Sequence, residues 1–268
     1  MTSWWRRELT ARARAAIAAS SIAAMIGVWW LASGPLAWAP PLFLPPPQEV
    51  AATFLRMCVE PYIGSTLWVH VVASLRVVMT GWLLAGLVGL PLGIAMAWWR
   101  RLRWIVFPVF QLVRPVPPLA WIPLAIVWLG IGDTARVSVV FIAALVPWLM
   151  NSMQAVYSVD ALLVAAARSL GAGERQILTR VVCRTALPTL VAGARIALGN
   201  AWTTLIAAEL LAASAGLGYI ALNAARTLET AVLLVAMAII GLLGALFSVG
   251  MRRMTRVLAP WSVRATDD

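Results

Sequence analysis

VVMTGWLLAGLVGLPLGIAMAWW, residues 77–99, carries no charge and is closed by Arg76 on one side and by Arg100, Arg101 and Arg103 on the other. An α-helix rises 1.5 Å per residue and the hydrocarbon core of a bilayer is about 30 Å thick, so roughly 20 such residues cross it. The same pattern recurs on both sides of this stretch. Residues 15–32 are uncharged and follow Arg12 and Arg14, and the first helix is placed at 15–38. Further spans read as 137–159, 186–210 (with Arg195 and Glu209 inside it) and 230–251. One more, 104–131, is interrupted at mid-length by Arg114, Pro115, Pro117 and Pro118. The expected fold class is therefore all-α: a polytopic membrane protein with six transmembrane helices.

Composition agrees. Of 268 residues, 62% are hydrophobic and 12% charged, whereas a soluble globule carries about 25% charged residues. The mean hydropathy is +0.89. There is no lysine: all 21 basic residues are arginines, and against 10 acids they give a net charge of +11. A Walker-A phosphate loop needs Gly-Lys-Ser/Thr, so the chain has no ATP site of that kind. One histidine and two cysteines argue against a disulfide framework, a zinc site or an iron–sulfur site. No metal is expected and no catalytic residue is identified.

Arginine placement sets the orientation, because short cytoplasmic loops are enriched in positive charge. With the N-terminus inside, one side receives Arg6, Arg7, Arg12, Arg14, Arg100, Arg101, Arg103, Arg168, Arg175, Arg180, Arg184, Arg252, Arg253, Arg256 and Arg264. The other side receives only Arg56, Arg76, Arg136 and Arg226. Both termini are expected in the cytoplasm. This asymmetry accounts for the basic charge, and no basic patch interleaved with stacking aromatics suggests a nucleic acid partner. Tryptophans near span ends (Trp4, Trp5, Trp38, Trp98, Trp99, Trp104, Trp261) read as interface anchors.

The chain then divides into a cytoplasmic segment 1–14, the helix 15–38, a periplasmic strap with a short surface helix at 39–76, a core of five helices at 77–252 and a tail at 253–268. A cleaved signal peptide is the competing reading of the start, disfavoured by the long polar lead and the lack of a small-residue cleavage site. APPLFLPPP, residues 39–47, reads as extended. Val50, Phe54, Leu55 and Cys58 at helical spacing suggest a helix over 48–58. Gly81, Gly86, Gly89 and Gly93 have the small-residue spacing of close helix packing.

A loop between the fourth and fifth spans, DALLVAAARSLGAGERQILTRVVCRTALP (160–188), is longer than a plain bundle needs. Ala161–Leu170 favours helix, Gly171 and Gly173 interrupt it, and Glu174–Cys183 is helical again with Arg175, Arg180 and Arg184 on it. Spacing alone leaves two readings, a glycine-hinged knob that a partner could grip and an arginine-rich solvated linker.

AAARSLG (165–171) followed after nine residues by Val181 resembles the EAA loop of binding-protein-dependent ABC import permeases, which reads Glu-Ala-Ala, three residues, Gly, nine residues, Ile-x-Leu-Pro. Ala166, Ala167 and Gly171 match, and Val181 replaces isoleucine. Ala165 stands where the glutamate would be, which removes a carboxylate that could contact the ATPase, and Cys183-Arg184 replaces Leu-Pro. LFLPPPQEV (42–50), RPVPPLAWIPLAIVWLGIGDTA (114–135) and GARIALGNAWTTLIAAELLAASAGLGYI (193–220) extend the resemblance to the sulfonate, taurine and nitrate branch, and among these most to taurine permeases. The resemblance implies a type I ABC importer in the bacterial inner membrane. Two copies of the chain would form the pore. Two cytoplasmic ATPase subunits, using ATP and Mg, would grip the coupling loop 160–184 through Ala165, Ala166, Ala167, Gly171, Gly173, Glu174 and Arg175. A periplasmic binding protein would deliver substrate. No cofactor would be bound by this chain, which would itself be no enzyme.

Taurine pairs an ionised sulfonate with an ammonium, so a path for it should offer hydrogen-bond donors to the first and an acceptor or aromatic face to the second. Ionisable groups within spans are costly and hence candidates. Arg114, Trp202, Thr203 and Glu209 are the candidate path residues. For Arg114 the alternative is that it caps the carbonyls freed by Pro115, Pro117, Pro118 and Pro123, or snorkels. For Glu209 it is an ion pair with Arg136 or Arg226. Thr203 and Thr204 could simply bond carbonyls of the preceding turn. Arg195 reads as structural and His70 as an interfacial residue.

Two rivals remain in view. One is the same machine for another alkanesulfonate, nitrate or a related small oxyanion. The other is a standalone secondary transporter or channel, which predicts related halves and an acidic coupling site at mid-membrane. A membrane enzyme is disfavoured for want of a nucleophile–base pair.

Overall fold

A computed structural model describes residues 10–34, 38 and 40–260. The readings placed on Trp4, Trp5, Arg6, Arg7, Trp261 and Arg264 lie outside these. Helices account for nearly all of the described residues: α1 (Ala11–Ser33), α2 (Pro47–Val59), α3 (Leu67–Trp98), α4 (Arg100–Val113), α5 (Ile122–Leu129), α6 (Asp133–Tyr157), α7 (Ala161–Ser169), the single turn α8 (Glu174–Gln176), α9 (Cys183–Ala212), α10 (Leu217–Arg226) and α11 (Thr230–Leu258).

Five helical stretches are long and apolar enough to cross a membrane: 16–33, 67–98, 133–157, 174–211 and 230–258. The sixth expected span is α4 together with the short 3₁₀ turn Pro118–Trp121 and α5, bent by 85° at the break. Proline explains the bend. It has no N–H to give and its ring clashes with the preceding turn, so Pro115, Pro117 and Pro118 stop α4 and restart the chain at a new angle.

Several boundaries differ from those read in the sequence. The helix α3 begins at Leu67, well before Arg76, because 67–76 is itself apolar and Arg76 sits on an exposed face. The helix α1 ends at Ser33. The proline segment is not an extended strap throughout: the Pro40 carbonyl accepts from the Phe43 and Leu44 amides at 2.9 and 3.1 Å, closing a turn, and Pro47 opens α2. A proline's fixed φ suits both a turn and the first turn of a helix.

The core lies where α3, α6 and α9 meet, with α10 and α11 sealing it. Val77, Val78 and Ala85 of α3, Val140 and Ala144 of α6, and Ala197, Ala201 and Leu205 of α9 are all buried. The glycines of α3 make the approach to α6 close. A Cβ on Gly81 would stand 2.6 Å from Val140 Cγ1, and one on Gly93 would stand 2.5 Å from the Leu149 carbonyl oxygen. Membrane helices gain little from the hydrophobic effect between themselves, so contact of this closeness is what holds them. Trp82 reaches across, donating its indole N–H to the Ala194 carbonyl at 3.1 Å and lying 5.6 Å from the Trp148 ring. Near the start of α4, Arg100 covers Trp104 at 4.8 Å and Arg103 donates to the Tyr157 hydroxyl at 2.6 Å.

Candidate functional site

The loop after α6 is a folded knob. The Asp160 carboxylate caps α7 by accepting from the Leu162 amide at 2.8 Å. The helix ends in a Schellman motif: the Ala172 amide bonds the Ala167 carbonyl at 3.1 Å and the Gly171 amide bonds the Arg168 carbonyl at 3.0 Å. That motif needs a left-handed residue, and Gly171 supplies it with φ +80°. Across the turn Arg168 forms an exposed ion pair with Glu174 at 2.9 Å. Gly173 has φ −71° and precedes α8 as its cap, its amide bonded by the Gln176 side chain at 3.1 Å. The left-handed turn is thus at Gly171, and Gly173 starts the next helix.

The segment beyond Gly173 is not a separate short helix. From α8 the chain passes through a six-residue π-helical stretch, Ile177–Val182, straight into α9, where the Cys183 amide bonds the Leu178 carbonyl five residues back. The knob is therefore one end of the fifth span itself. It is pinned from inside, with Ile177 and Val182 buried against Val156, Val164 and Ala167. Outside, Ala165, Ala166 and Arg175 are exposed, and Leu162, Leu163 and Leu170 are 73%, 47% and 89% exposed.

A second feature lies on α9 and the α4–α5 break. The face of α9 carrying Arg195, Ile196, Asn200 and Thr203 is uncovered, and no residue of α4 is buried. Between them is a cavity of about 270 Å³ lined by Arg114, Trp121, Asn200, Phe110, Val113 and Ala143, among others. Arg114 closes α4, its own amide bonding the Phe110 carbonyl at 2.9 Å. No described residue accepts a hydrogen bond or ion pair from its guanidinium, so it does not cap the carbonyls of the proline segment. The Trp121 indole N–H is buried without a partner among the described residues. Three donors thus line one cavity. Asn200 and Trp121 are not singled out by the sequence reading; the signal for Asn200 is an uncharged polar residue one turn before Thr203 on a spanning helix.

The other candidates fall elsewhere. Trp202 is buried between α9 and α11, edge-on to Phe247 at 5.2 Å with its indole N–H on the Ile240 carbonyl at 3.2 Å. Thr203 is exposed, and its hydroxyl lies 3.2 Å from the carbonyls of Gly199 and Asn200. Glu209 does not reach the uncovered face. Its side chain is fully buried, accepts from the Ser74 hydroxyl at 2.6 Å and the Gly218 amide at 2.8 Å, and lies 3.9 Å from Arg136. Arg136 in turn donates to the Ala215 carbonyl at 2.9 Å and pairs with Asp133. A buried carboxylate is tolerated only when paired and bonded, and here α3, α6 and the α9–α10 turn supply the partners.

His70 belongs to this network rather than to the interface. The Gly216 amide donates to Nδ1 at 3.2 Å, so Nε2 carries the proton and faces the Tyr62 carbonyl at 3.2 Å. Gly216, at φ +139°, brings the backbone directly against the Glu209 carboxylate. Outside the spanning segments, burial and the neighbouring Glu229 carboxylate push the Tyr62 phenol up to about 12. Tyr62 and Glu229 line, with Glu49, Arg56 and Glu60, a cavity of about 380 Å³ between α2 and the start of α11.

Residues 89–264 match the family described as the binding-protein-dependent transport system inner membrane component. The chain is 40% identical over 258 residues to the taurine transport system permease protein TauC of Escherichia coli (strain K12), covering 96% of this chain and 93% of that one. It is 34% identical to the putative aliphatic sulfonates transport permease protein SsuC of the same organism, covering 89% of each. Among solved structures it resembles an inward-facing conformation of the MetNI methionine ABC transporter, with a TM-score of 0.64 at 23% identity over 72% of this chain and 97% of that chain.

Proposed function

The chain belongs to the family of binding-protein-dependent transport system inner membrane components, and from that premise we propose that it forms the path by which taurine, or a closely similar small sulfonate, is drawn across the membrane by a separate ATPase. It is an ABC importer permease of the taurine, sulfonate and nitrate branch with the type I importer fold. The path runs along the uncovered face of α9, and the cavity of Arg114, Trp121 and Asn200 is where the cargo pauses. The observation that carries this reading is the Arg114 guanidinium, unpartnered among the described residues at a broken span beside two further donors. Such a set suits a sulfonate, whose oxygens accept charge-assisted bonds in several directions. The Trp121 ring offers the ammonium an aromatic face.

Polar groups on an uncovered face of a spanning helix are costly in hydrocarbon. Asn200 and Thr203 on such a face support a pairing of two copies of the chain, with water and cargo between them. The knobs of α7 and Gly171 in the two copies receive two cytoplasmic ATPase subunits, one each, which use ATP and Mg; the chain's lack of lysine fits a motor that lies elsewhere. The charged outer cavity of Glu49, Arg56, Glu60 and Glu229 faces a periplasmic delivery protein. Both termini lie in the cytoplasm.

The test is uptake of labelled taurine by vesicles holding the complete assembly, compared for the wild type and Arg114→Gln. Uptake is expected to fall by at least tenfold while the variant still purifies with its ATPase, since a charge-assisted bond to an anion contributes roughly 1.5–3 kcal/mol. Unchanged uptake, or loss of assembly in place of uptake, removes Arg114 from the path.

A further inference from the structure

Several arginines on the inner half of the molecule have a partner within the chain. Arg168 pairs with Glu174, Arg103 bonds and covers Tyr157, and Arg100 covers Trp104. Others, such as Arg101, Arg175, Arg180 and Arg253, are exposed on the surface. Arg195 and Arg252 are exposed as well, but they stand together. They line one cavity of about 330 Å³ between α9 and α11, together with Gly199, Trp202, Phe247 and Ser248. No carboxylate among the described residues lines that cavity. Among the described residues Arg195 has no hydrogen-bond or ion-pair partner, and Arg252 has only the Ser248 hydroxyl at 3.5 Å.

Two guanidiniums lining one cavity repel each other. The arrangement is relieved by an anion between them, and a tetrahedral oxyanion can accept from both forks at once. Depth fits this. Arg252 opens the basic end of α11, about 33 Å of helix from Thr230, and so sits at the inner boundary of the hydrocarbon, where lipid phosphates lie. Arg195 shares the cavity and hence the level. Trp202 and Phe247 give the cavity an apolar wall continuous with the membrane interior.

We propose that Arg195 and Arg252 form an oxyanion site at the inner face of the membrane, with Ser248 as a third donor, taking either the phosphate of an anionic lipid or a free oxyanion. The site is separate from the Arg114 cavity and does not depend on the nature of the cargo.

The purified chain in mild detergent, with its partners, is to be followed by native mass spectrometry after addition of phosphatidylglycerol or phosphatidylcholine, with and without inorganic phosphate. The phosphatidylglycerol adduct is expected to survive activation better than the phosphatidylcholine one. Arg195→Gln/Arg252→Gln should lower its retention by roughly tenfold or more, while Arg253→Gln leaves it as it was. Displacement of the lipid by inorganic phosphate assigns the site to the oxyanion as such; retention in its presence assigns it to the lipid. Should the double variant fail to fold, the wild-type comparison still decides. Equal retention of both lipids together with no effect of phosphate on thermal stability overturns the proposal.

Discussion

By its sequence Glu209 is either a path residue or an arginine's partner, and its surroundings make it the second. It ties Ser74 of α3, Gly218 of α10 and Arg136 of α6 to the C-terminal end of α9. Glu209→Gln leaves Arg136 buried with only Asp133 to balance it, and breaking a buried pair costs about 3–5 kcal/mol. The purified variant should therefore melt at a distinctly lower temperature than the wild type, and an unchanged melting temperature would remove the pair from the stability of the bundle. Gly216→Val adds a Cβ against the Glu209 carboxyl and forces a β-branched residue to φ +139°. It should cost about 3 kcal/mol or more, seen as loss of folded protein on size exclusion. Neither His70 nor Ser74 is legible in the sequence as a member of this network. Residues 146 and 135 positions away in the chain supply their partners, and no local spacing announces a contact of that range.

The spanning helices can be found in the sequence because a long uncharged run has one stable form in lipid. Their ends are harder to place. Arg76 looks like a boundary, yet an arginine on an exposed face does not stop a helix whose neighbours stay apolar. The knob is legible in part: Gly171 as a hinge follows from composition, whereas the unbroken passage of Glu174 through a π-helical turn into α9 depends on how Ile177 and Val182 pack beneath Ala167. A valine at position 171 would have to adopt φ +80°, which β-branched residues avoid. Gly171→Val is thus expected to abolish transport and to reduce co-purification of the ATPase to a small fraction, measured by pull-down from membranes. Normal uptake with retained ATPase would remove the knob from the coupling. On α3, Gly93→Leu should part that helix from α6 at the Leu149 carbonyl and destabilise the bundle by about 3 kcal/mol, readable as a fall in melting temperature with the knob unaffected.

For the whole molecule, two surfaces are left bare within one chain: the leucines of α7 and the polar face of the spanning helix α9. A permease that draws its work from outside needs both, one to be pushed and one to open. Composition alone points to the first half of this, since a chain without lysine has no Walker loop. The cavity of Arg114, Trp121 and Asn200 requires the bend at the prolines to bring α4 toward α9, and no count of residues reveals that angle. The most direct measurement is accumulation of labelled taurine in vesicles that hold this chain with the ATPase and the delivery protein, each component and ATP being withheld in turn. Accumulation is expected only when all are present. Accumulation against a gradient by this chain alone, without nucleotide, would contradict the reading of the chain as a driven permease.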